Sequence, residues 1–502
     1  MGGGQVTSTH ESSSTSFDAE SDADGVAAAS RHTMLSQVLT QASRLGVSIV
    51  LARLLTPQDF GVVAAGMVVM VVAWQLTDLG TSAVVIQRET VDDTLLSSLF
   101  FFNLLLGIFL GVLTVALAGP MANALGQPAA APAIRALAAV SVLGAVGNMH
   151  HALLRRTMQF GRLATVNIAN ATVNGAVGIG LAFAGAGIWA LVVGTLAGVA
   201  VSTGGAWLYV AWRPSPRFSL RRLREVGKFS INCFWSSALA VFFAQLDKVV
   251  ISRMLGGAAL GTYTVAQRTV SSPMNAVSAT VSTVSFSAFA REQDNPETLR
   301  SGAIRATGVV ALVVLPAMVG LAVLAEQAVL VVYGAQWEAA VPVVQVLAPV
   351  AIVQAVLSVT SSVMLAMGRS DWLYRWGLAY CLVGAVVMLM CSRWGLLGVS
   401  LGLAGVMVVL APLEMKMSLS LIGMRLSTYL RPMLPMVLIT AAMAAVARLA
   451  AGGTGLLGAG VVLQLIAGAS AGVVAYAALI WHFGLPAVDD ARRVLGRWAR
   501  RR

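Results

Sequence analysis

The chain has 502 residues, 58% of them hydrophobic and 11% charged, and a mean hydropathy of +0.82. Soluble domains carry about 25% charged residues, so a string of soluble domains is excluded and a polytopic membrane protein is indicated. The net charge of +12 would suit a nucleic-acid binder, but the placement of the charges assigns it to a membrane face. Three cysteines, Cys233, Cys381 and Cys391, lie in apolar runs without metal or redox spacing, and read as buried structural thiols.

Residues 1–30 are rich in Gly and Ser, hold five acidic side chains and have no apolar core. They read as a disordered tail. No basic segment followed by a short apolar one opens the chain, so the amino terminus is expected to stay in the cytoplasm. Apolar runs of membrane-spanning length then follow near 34–55, 60–86, 95–118, 134–154, 163–184 and 187–212. After a basic segment come 229–255, 260–290, 304–333, 341–367, 374–392 and 396–421, and then 431–451 and 456–482.

Basic residues set the orientation, because they accumulate on the cytoplasmic side of a membrane. With the amino terminus inside, 25 of the 33 Lys and Arg residues fall in cytoplasmic segments. Five (Arg53, Arg135, Arg253, Arg393, Arg448) fall outside, and Arg44, Lys248 and Arg268 lie within helices. Both termini are therefore expected inside, with the positive face against anionic headgroups and no nucleic-acid partner. Arginine outnumbers lysine thirty to three, a codon bias of a high-GC bacterial genome.

The chain also repeats itself. At a shift of 200, Ile49 to Leu55 falls on Val249 to Leu255, and Gly61 on Gly261. At 210, Pro132 to Ala138 falls on Pro342 to Ala348; at 207, Gly161-Arg162 falls on Gly368-Arg369. Six helices separate the matched segments, an even number that preserves orientation, as in parallel-repeat transporters. The expected fold is an all-α polytopic membrane protein of about 14 transmembrane helices. It comprises a cytoplasmic tail (1–30), a six-helix bundle (31–212), a basic cytoplasmic linker (213–228), a second, parallel six-helix bundle (229–430), two extra helices (431–482) and a basic cytoplasmic tail (483–502).

Polar residues in these helices mark the candidate site. The 260–290 run places Thr264, Gln267, Arg268, Ser271, Asn275, Ser278 and Ser282 at steps of three or four. At about 100° per residue they share roughly a third of the helix circumference. An arginine at bilayer depth costs ~2.5–3.5 kcal/mol unless it is solvated or paired, so the stripe is expected to face a wet cleft. Gln37, Gln41, Arg44 and Ser48 share one face of the first helix, and Asn232, Ser236 and Asp247 one side of the seventh. Asn167, Asn170 and Asn174 line one face of the fifth, where helix packing and cleft lining are equally open readings. Asp78, Asp247 and Glu326 are the acids set deepest, each either an ion-coupling site or a salt-bridge partner. Glu414 falls nearer a cytoplasmic helix end, beside Lys416. Arg53 and Arg253 repeat at helix ends, which suggests a structural or gating contact. His150 and His151 are expected at the interface. No phosphate loop, zinc spacing or catalytic loop is present in the sequence, so neither an enzyme nor a cofactor or metal site is expected.

Several segments carry a resemblance. Leu51-Ala52-Arg53-Leu54-Leu55-Thr56-Pro57-Gln58-Asp59-Phe60-Gly61 resembles the first-loop signature of bacterial polysaccharide transporters. Asp78-Leu79-Gly80 through Arg88, Arg155 to Phe160, Asp247-Lys248 through Tyr263, and Gly334 to Trp337 are similar to further segments of that family. The resemblance, over roughly 34–425, is to the Wzx-like oligosaccharide-lipid flippases of the multidrug/oligosaccharidyl-lipid/polysaccharide exporter superfamily. It implies movement of a polyprenyl-pyrophosphate-linked oligosaccharide across the bacterial cytoplasmic membrane, for cell-surface polysaccharide biosynthesis. Polysaccharide assembly proteins are then expected partners. On this reading Arg44, Lys248 and Arg268 attract the anionic head group, with Gln41, Gln267 and Asn275 beside them. A cation-coupled multidrug extruder and a non-transporting scaffold for glycan assembly are the rival readings.

Overall fold

A computed structural model of the chain describes residues 41, 43, 45–88, 90–292 and 295–483. For 228–230, 232, 233, 235–240, 243, 273, 275–288, 290 and 291 it describes the backbone alone. Both expected tails and Arg44 lie outside the described residues.

The described residues form helices joined by short turns, without a strand among them. In order these are α1 (Leu45–Leu54), α2 (Pro57–Asp78), α3 (Thr81–Gln87), α4 (Asp93–Ala124), α5 (Ala131–Leu137), α6 (Ala139–Arg156), α7 (Phe160–Phe183) and α8 (Ile188–Tyr209). Then come α9 (Leu220–Ala244), α10 (Leu246–Leu255), α11 (Gly257–Arg291), α12 (Pro296–Val323), α13 (Ala325–Val332), α14 (Val341–Ala366), α15 (Ser370–Cys391) and α16 (Gly395–Ser420). Short α17 (Leu426–Leu430) precedes α18 (Leu434–Leu456) and α19 (Val461–Phe483). Among the described residues, each expected apolar run is helical in its main part. Ten described stretches are long and apolar enough to cross a membrane, and Ser370–Ser420 contains both α15 and α16. The α9–α10 and α11 runs are less apolar, since they carry the charges and hydroxyls noted above.

Packing follows the repeat. In the first half α2 packs on α4, α5 and α6, α4 on α6, α6 on α8, and α8 on α7. In the second, α11 packs on α12 and α14, α12 on α14, α14 on α16, and α16 on α15. Five membrane helices of each half, all but the first, thus share one order of neighbours, and the halves meet chiefly where α2 lies along α11. Helices α18 and α19 pack on each other, and reach the second half through α12 and α13.

Two local features explain the halves' details. The second helix of the first half breaks at Leu79 and Gly80, both with positive φ, and Asp78 spans the break. Its Oδ1 accepts from Thr81 Oγ1 (3.0 Å), the Ser82 amide (3.1 Å), Ser82 Oγ (2.8 Å) and Asn148 Nδ2 (2.7 Å), so it caps α3 and ties it to α6. Along α7 and α8, Cβ atoms built on Gly194 and Gly198 would stand 2.8 Å and 3.0 Å from the carbonyls of Asn174 and Asn170. Those glycines let two backbones approach closely, and the asparagine face of the fifth membrane helix packs there.

The basic segment docks rather than hangs free. Residues 220–228 form the first turns of α9, and 210–219 fold across the end of the first half. Asp93 accepts from Trp212 Nε1 (2.7 Å) and Ser215 Oγ (2.8 Å), while the amides of Ser215 and Ser219 donate to Ser97 Oγ (3.0 Å) and Ser98 Oγ (2.9 Å). Val226 and Leu223 pack against Val84, Val85, Leu95 and Met149. His150 is corrected by this arrangement. It is buried, not interfacial, stacked on Trp207 at 4.2 Å with Trp212 against it at 5.4 Å. The ion pairs Arg222–Asp92 (3.5 Å) and Arg88–Glu225 (4.0 Å) are half-exposed, and contribute little beside the buried contacts. Asp93→Ala removes the acceptor that holds Trp212 and Ser215 and is expected to loosen the 210–219 segment, read as a reduced thermal unfolding midpoint of the purified protein.

Candidate functional site

The seam between halves begins at a helix crossing. Thr56 opens α2 with a capping box: its Oγ1 accepts from the Asp59 amide (3.2 Å), and Asp59 Oδ2 accepts from the Thr56 amide (3.0 Å). Pro57 occupies the first helical position, where its missing N–H is not needed. Helix α11 opens 200 residues later at Gly257. The two first turns cross so tightly that a Cβ built on Gly61 would overlap the Gly257 carbonyl, and one on Gly261 the Pro57 carbonyl. Gly61 and Gly261 are the repeat-related pair, so the crossing has a local two-fold character.

Reciprocal grips flank it. The end of α1 is held by the turn after α13. Arg53 Nε donates to the Val332 carbonyl (2.9 Å) and Arg53 Nη2 to that of Val331. Gln336 Nε2 reaches the carbonyls of Ala52 (2.6 Å) and Leu55 (3.1 Å), and Trp337 Nε1 that of Ala52 (2.7 Å). Fully buried Trp337 also sets its ring against Phe60, with centroids 5.2 Å apart. On the other side, Ser252 Oγ of α10 donates to the Leu125 carbonyl (2.7 Å), in the turn after α4. Each half thus holds the end of the other's first helix with the turn after its own third. Positive-φ Gly126 and Gly334 make the bends in those two turns. The crossing closes one end of the seam, opposite the docked basic segment.

Deeper along the seam lie the polar groups. Asp247 Oδ2 accepts from Tyr263 Oη (2.8 Å) and Gln267 Nε2 (3.3 Å), and its Oδ1 from the Lys248 amide (2.8 Å). Lys248 Nζ turns to Gln245 Oε1 (3.0 Å) instead of to its neighbour's carboxylate. Arg268 is exposed on α11, and its charge reaches both Lys248 and Tyr333. Gln41 Nε2 donates to Ser272 Oγ (2.9 Å), one turn beyond Arg268, so the first helix joins the same face. Thr269 Oγ1 donates to Tyr333 Oη (2.8 Å) and fixes that ring beside it.

The structure therefore gathers Gln41, Asp247, Lys248, Gln267 and Arg268 around the first turns of α10 and the middle of α11. It does not gather Asp78, which caps α3 on the other half, or Glu326, which is exposed in the first turn of α13. Arg44 and the side chain of Asn275 lie outside the described residues. Gln336, Trp337, Gln127 and Gly257 were not singled out as a set by sequence reasoning. The signal for them was the repeat, since each contacts a repeat-related helix end. Glu414, expected nearer a cytoplasmic helix end and beside Lys416, is 3% exposed. Its i, i+4 spacing to Ser418 marks a buried face of α16.

Comparison with known proteins agrees with this architecture. Residues 50–342 match the family described as polysaccharide biosynthesis protein. The succinoglycan biosynthesis transport protein ExoT of Rhizobium meliloti is 32% identical over 358 residues, which cover 70% of this chain and 72% of that protein. The teichuronic acid biosynthesis protein TuaB of Bacillus subtilis is 28% identical over 378 residues, 74% of this chain and 77% of that one. Among solved structures, the lipid II flippase MurJ in an inward closed conformation superposes with a TM-score of 0.75. It is 15% identical, with 91% of this chain and 98% of that chain covered, and shows the shared fold.

A leucine at Gly61 or Gly261 cannot fit the crossing without backbone displacement, and overpacking of this kind costs about 1–3 kcal/mol. Since about 1.4 kcal/mol is a tenfold population change, Gly61→Leu is expected to open the crossing about tenfold more often. The measurement is labelling of Gln58→Cys by a membrane-impermeant maleimide, faster in the Gly61→Leu background than in its absence.

Proposed function

Because the chain belongs to the polysaccharide biosynthesis protein family, we propose that it moves a polyprenyl-pyrophosphate-linked oligosaccharide across the bacterial cytoplasmic membrane by alternating access. The observation that carries this reading is the cationic and amide-bearing face formed by Lys248, Arg268, Gln41 and Gln267 beside the seam. A pyrophosphate needs positive charge, and charge-assisted hydrogen bonds are about twice as strong as neutral ones. A hydrated glycan needs amides and hydroxyls. The polyprenyl tail remains in the hydrocarbon.

In this proposal the moving bodies are residues 31–212 and 229–430, linked through 213–228, with 431–482 as an added pair and the terminal segments 1–30 and 483–502 outside the transport unit. The basic residues place 213–228 and both termini in the cytoplasm, against anionic lipids, and put the glycine crossing on the far side. Proteins that supply the lipid-linked glycan and polymerise it are its functional partners. Arg44 and Asn275 are assigned to the same cargo face. Asp247 acts within it by holding Tyr263 and Gln267. A multidrug extruder would call for an acidic face, and the two cations here favour an anionic cargo.

Loss of the protein is expected to leave the lipid-linked repeat unit on the cytoplasmic side and to abolish the surface polymer, as read by lipid extraction from a deletion strain. An unchanged glycolipid pool and intact polymer would reject the proposal. Arg268→Ala and Lys248→Ala are each expected to lower export about tenfold at equal protein level, the scale of one hydrogen bond to a charged group. Export unchanged in both would remove the cationic face from the mechanism.

A further inference from the structure

Glu414 is the acid that the transport reading leaves unused. It sits on α16 about 9 Å, six residues at 1.5 Å each, from that helix's carboxyl end at Ser420. It is only 3% exposed. No Lys or Arg lies within 4 Å of it among the described residues, and Lys416 on the same helix points outward. Its immediate polar company is neutral: the Ser361 hydroxyl of α14 and the Tyr380 hydroxyl of α15.

The donors around it are only partly used. Tyr380 Oη is buried against the Glu414 carboxyl group without a well-aligned hydrogen bond, and Trp376 Nε1 is buried without a hydrogen-bond partner. They stand one turn apart on α15, ring centroids 6.3 Å apart. The remaining hydroxyls nearby are committed to backbone carbonyls: Ser358 to Ala355, Thr360 to Leu357, Ser362 to Ser358 and Ser418 to Thr360. A buried donor without a partner costs about 1–3 kcal/mol, so the Trp376 indole one turn from the Tyr380 hydroxyl needs a reason.

We propose that Glu414, with Ser361, Tyr380 and Trp376, forms a proton-binding site whose occupancy sets the packing of α14, α15 and α16 and drives the transport cycle. The proposal rests on the transport reading for its last step only. Ionised Glu414 can accept from all three donors and draw α14 and α15 onto α16. Taking one proton from the aqueous phase, the same group becomes a carboxylic acid that donates one hydrogen bond and accepts more weakly, which loosens its hold on the surrounding donors. Between these states the three helices are held differently at this end, while at the other end α15 and α16 stay joined by the turn 392–394.

The charged surroundings favour this group as the titrating one. Helix α14 has no titratable residue between Val341 and Ala366. On α15, Asp371, Tyr374 and Arg375 are exposed, and Cys381 lies within reach of Asp247's charge. On α10, Asp247 is engaged by Tyr263 and Gln267, Lys248 by Gln245, and Arg253 is exposed. Arg393 in the turn and Arg425 before α17 are exposed, and Tyr429 bonds Thr307 at 2.5 Å. Because α10 packs on both α15 and α16, a shift of these helices reaches Lys248 and the cargo face directly.

The test has two arms. In the first, full-length protein in lipid nanodiscs is taken from alkaline to acid pH, and the appearance of a protonated carboxyl band is followed by infrared difference spectroscopy. One band is expected to be lost in Glu414→Gln, kept in Glu414→Asp and shifted in Tyr380→Phe. In the second, vesicles carrying a pH gradient are supplied with the lipid-linked glycan that accumulates in a deletion strain. Glu414→Gln is expected to lose the gradient dependence and to slow movement about tenfold, within the usual range of site–site coupling. A Glu414→Gln protein with the wild-type infrared difference, or with wild-type gradient dependence, overturns the proposal. If wild-type vesicles moved no glycolipid while the carboxyl band behaved as stated, the transport reading would fail and the proton site would stand.

Discussion

Everything about this protein's architecture depends on two helix backbones approaching with nothing between them. Where α2 crosses α11, Gly61 and Gly261 allow carbonyl contact that any side chain would block. Contacts of this kind gain dispersion and weak Cα–H···O attraction, which matter in a bilayer, where apolar burial provides little force between helices. The crossing is therefore held by shape. A contact that depends on shape can be broken whole and remade whole, unlike a greasy interface that yields gradually. The grips of Arg53, Gln336, Trp337 and Ser252 on backbone carbonyls add polar bonds that form only when the helices are in register.

The two-fold character of that closure contrasts with the lopsided cargo face. At the repeat shift of 200, Gly61 meets Gly261, but Arg44 aligns with Ala244 and Arg268 with Val68. Duplicated positions serve the closure, where each half must do to its partner what the partner does to it. These charges occur in one copy, as the proposed single anionic head group would require. The second half also holds Glu414, whose first-half counterpart region carries no acid in α8. In the proposed account coupling and cargo charge thus concentrate in one half, and the other supplies the matching wall.

Much of the fold was legible because lipid imposes simple rules on the chain. Length and hydropathy located the helices, and the positions of arginine gave the frame. The Leu51 to Gly61 segment was recognisable as a signature, and its meaning became physical only in three dimensions: cap, proline start, aromatic contact and glycine crossing. What the sequence did not disclose were contacts between distant segments. Trp337 and Gln336 looked like loop residues, and His150 like an interfacial one, because nothing local announces which turn will fold over them. Glu414 was set apart from the deepest acids because it falls nearer a cytoplasmic helix end, beside Lys416. Two residues apart on a helix, however, side chains point in widely different directions. The Asp78 carboxylate read as an ion-coupling site or a salt-bridge partner for the converse reason: its capping partners Thr81 and Ser82 were visible, but the break at Leu79 that makes them partners was not.

The most direct test of the account is a reversible cross-link across the crossing. Gln58→Cys paired with Gly257→Cys places two thiols at the contact of α2 with α11, where the Gln58 side chain already lies against Gly257. Oxidation is expected to stop glycolipid movement in vesicles, and a reductant to restore it, because the crossing must open once in each cycle. Movement at an unchanged rate with the cross-link formed would contradict the account, since the halves would then transport without parting there.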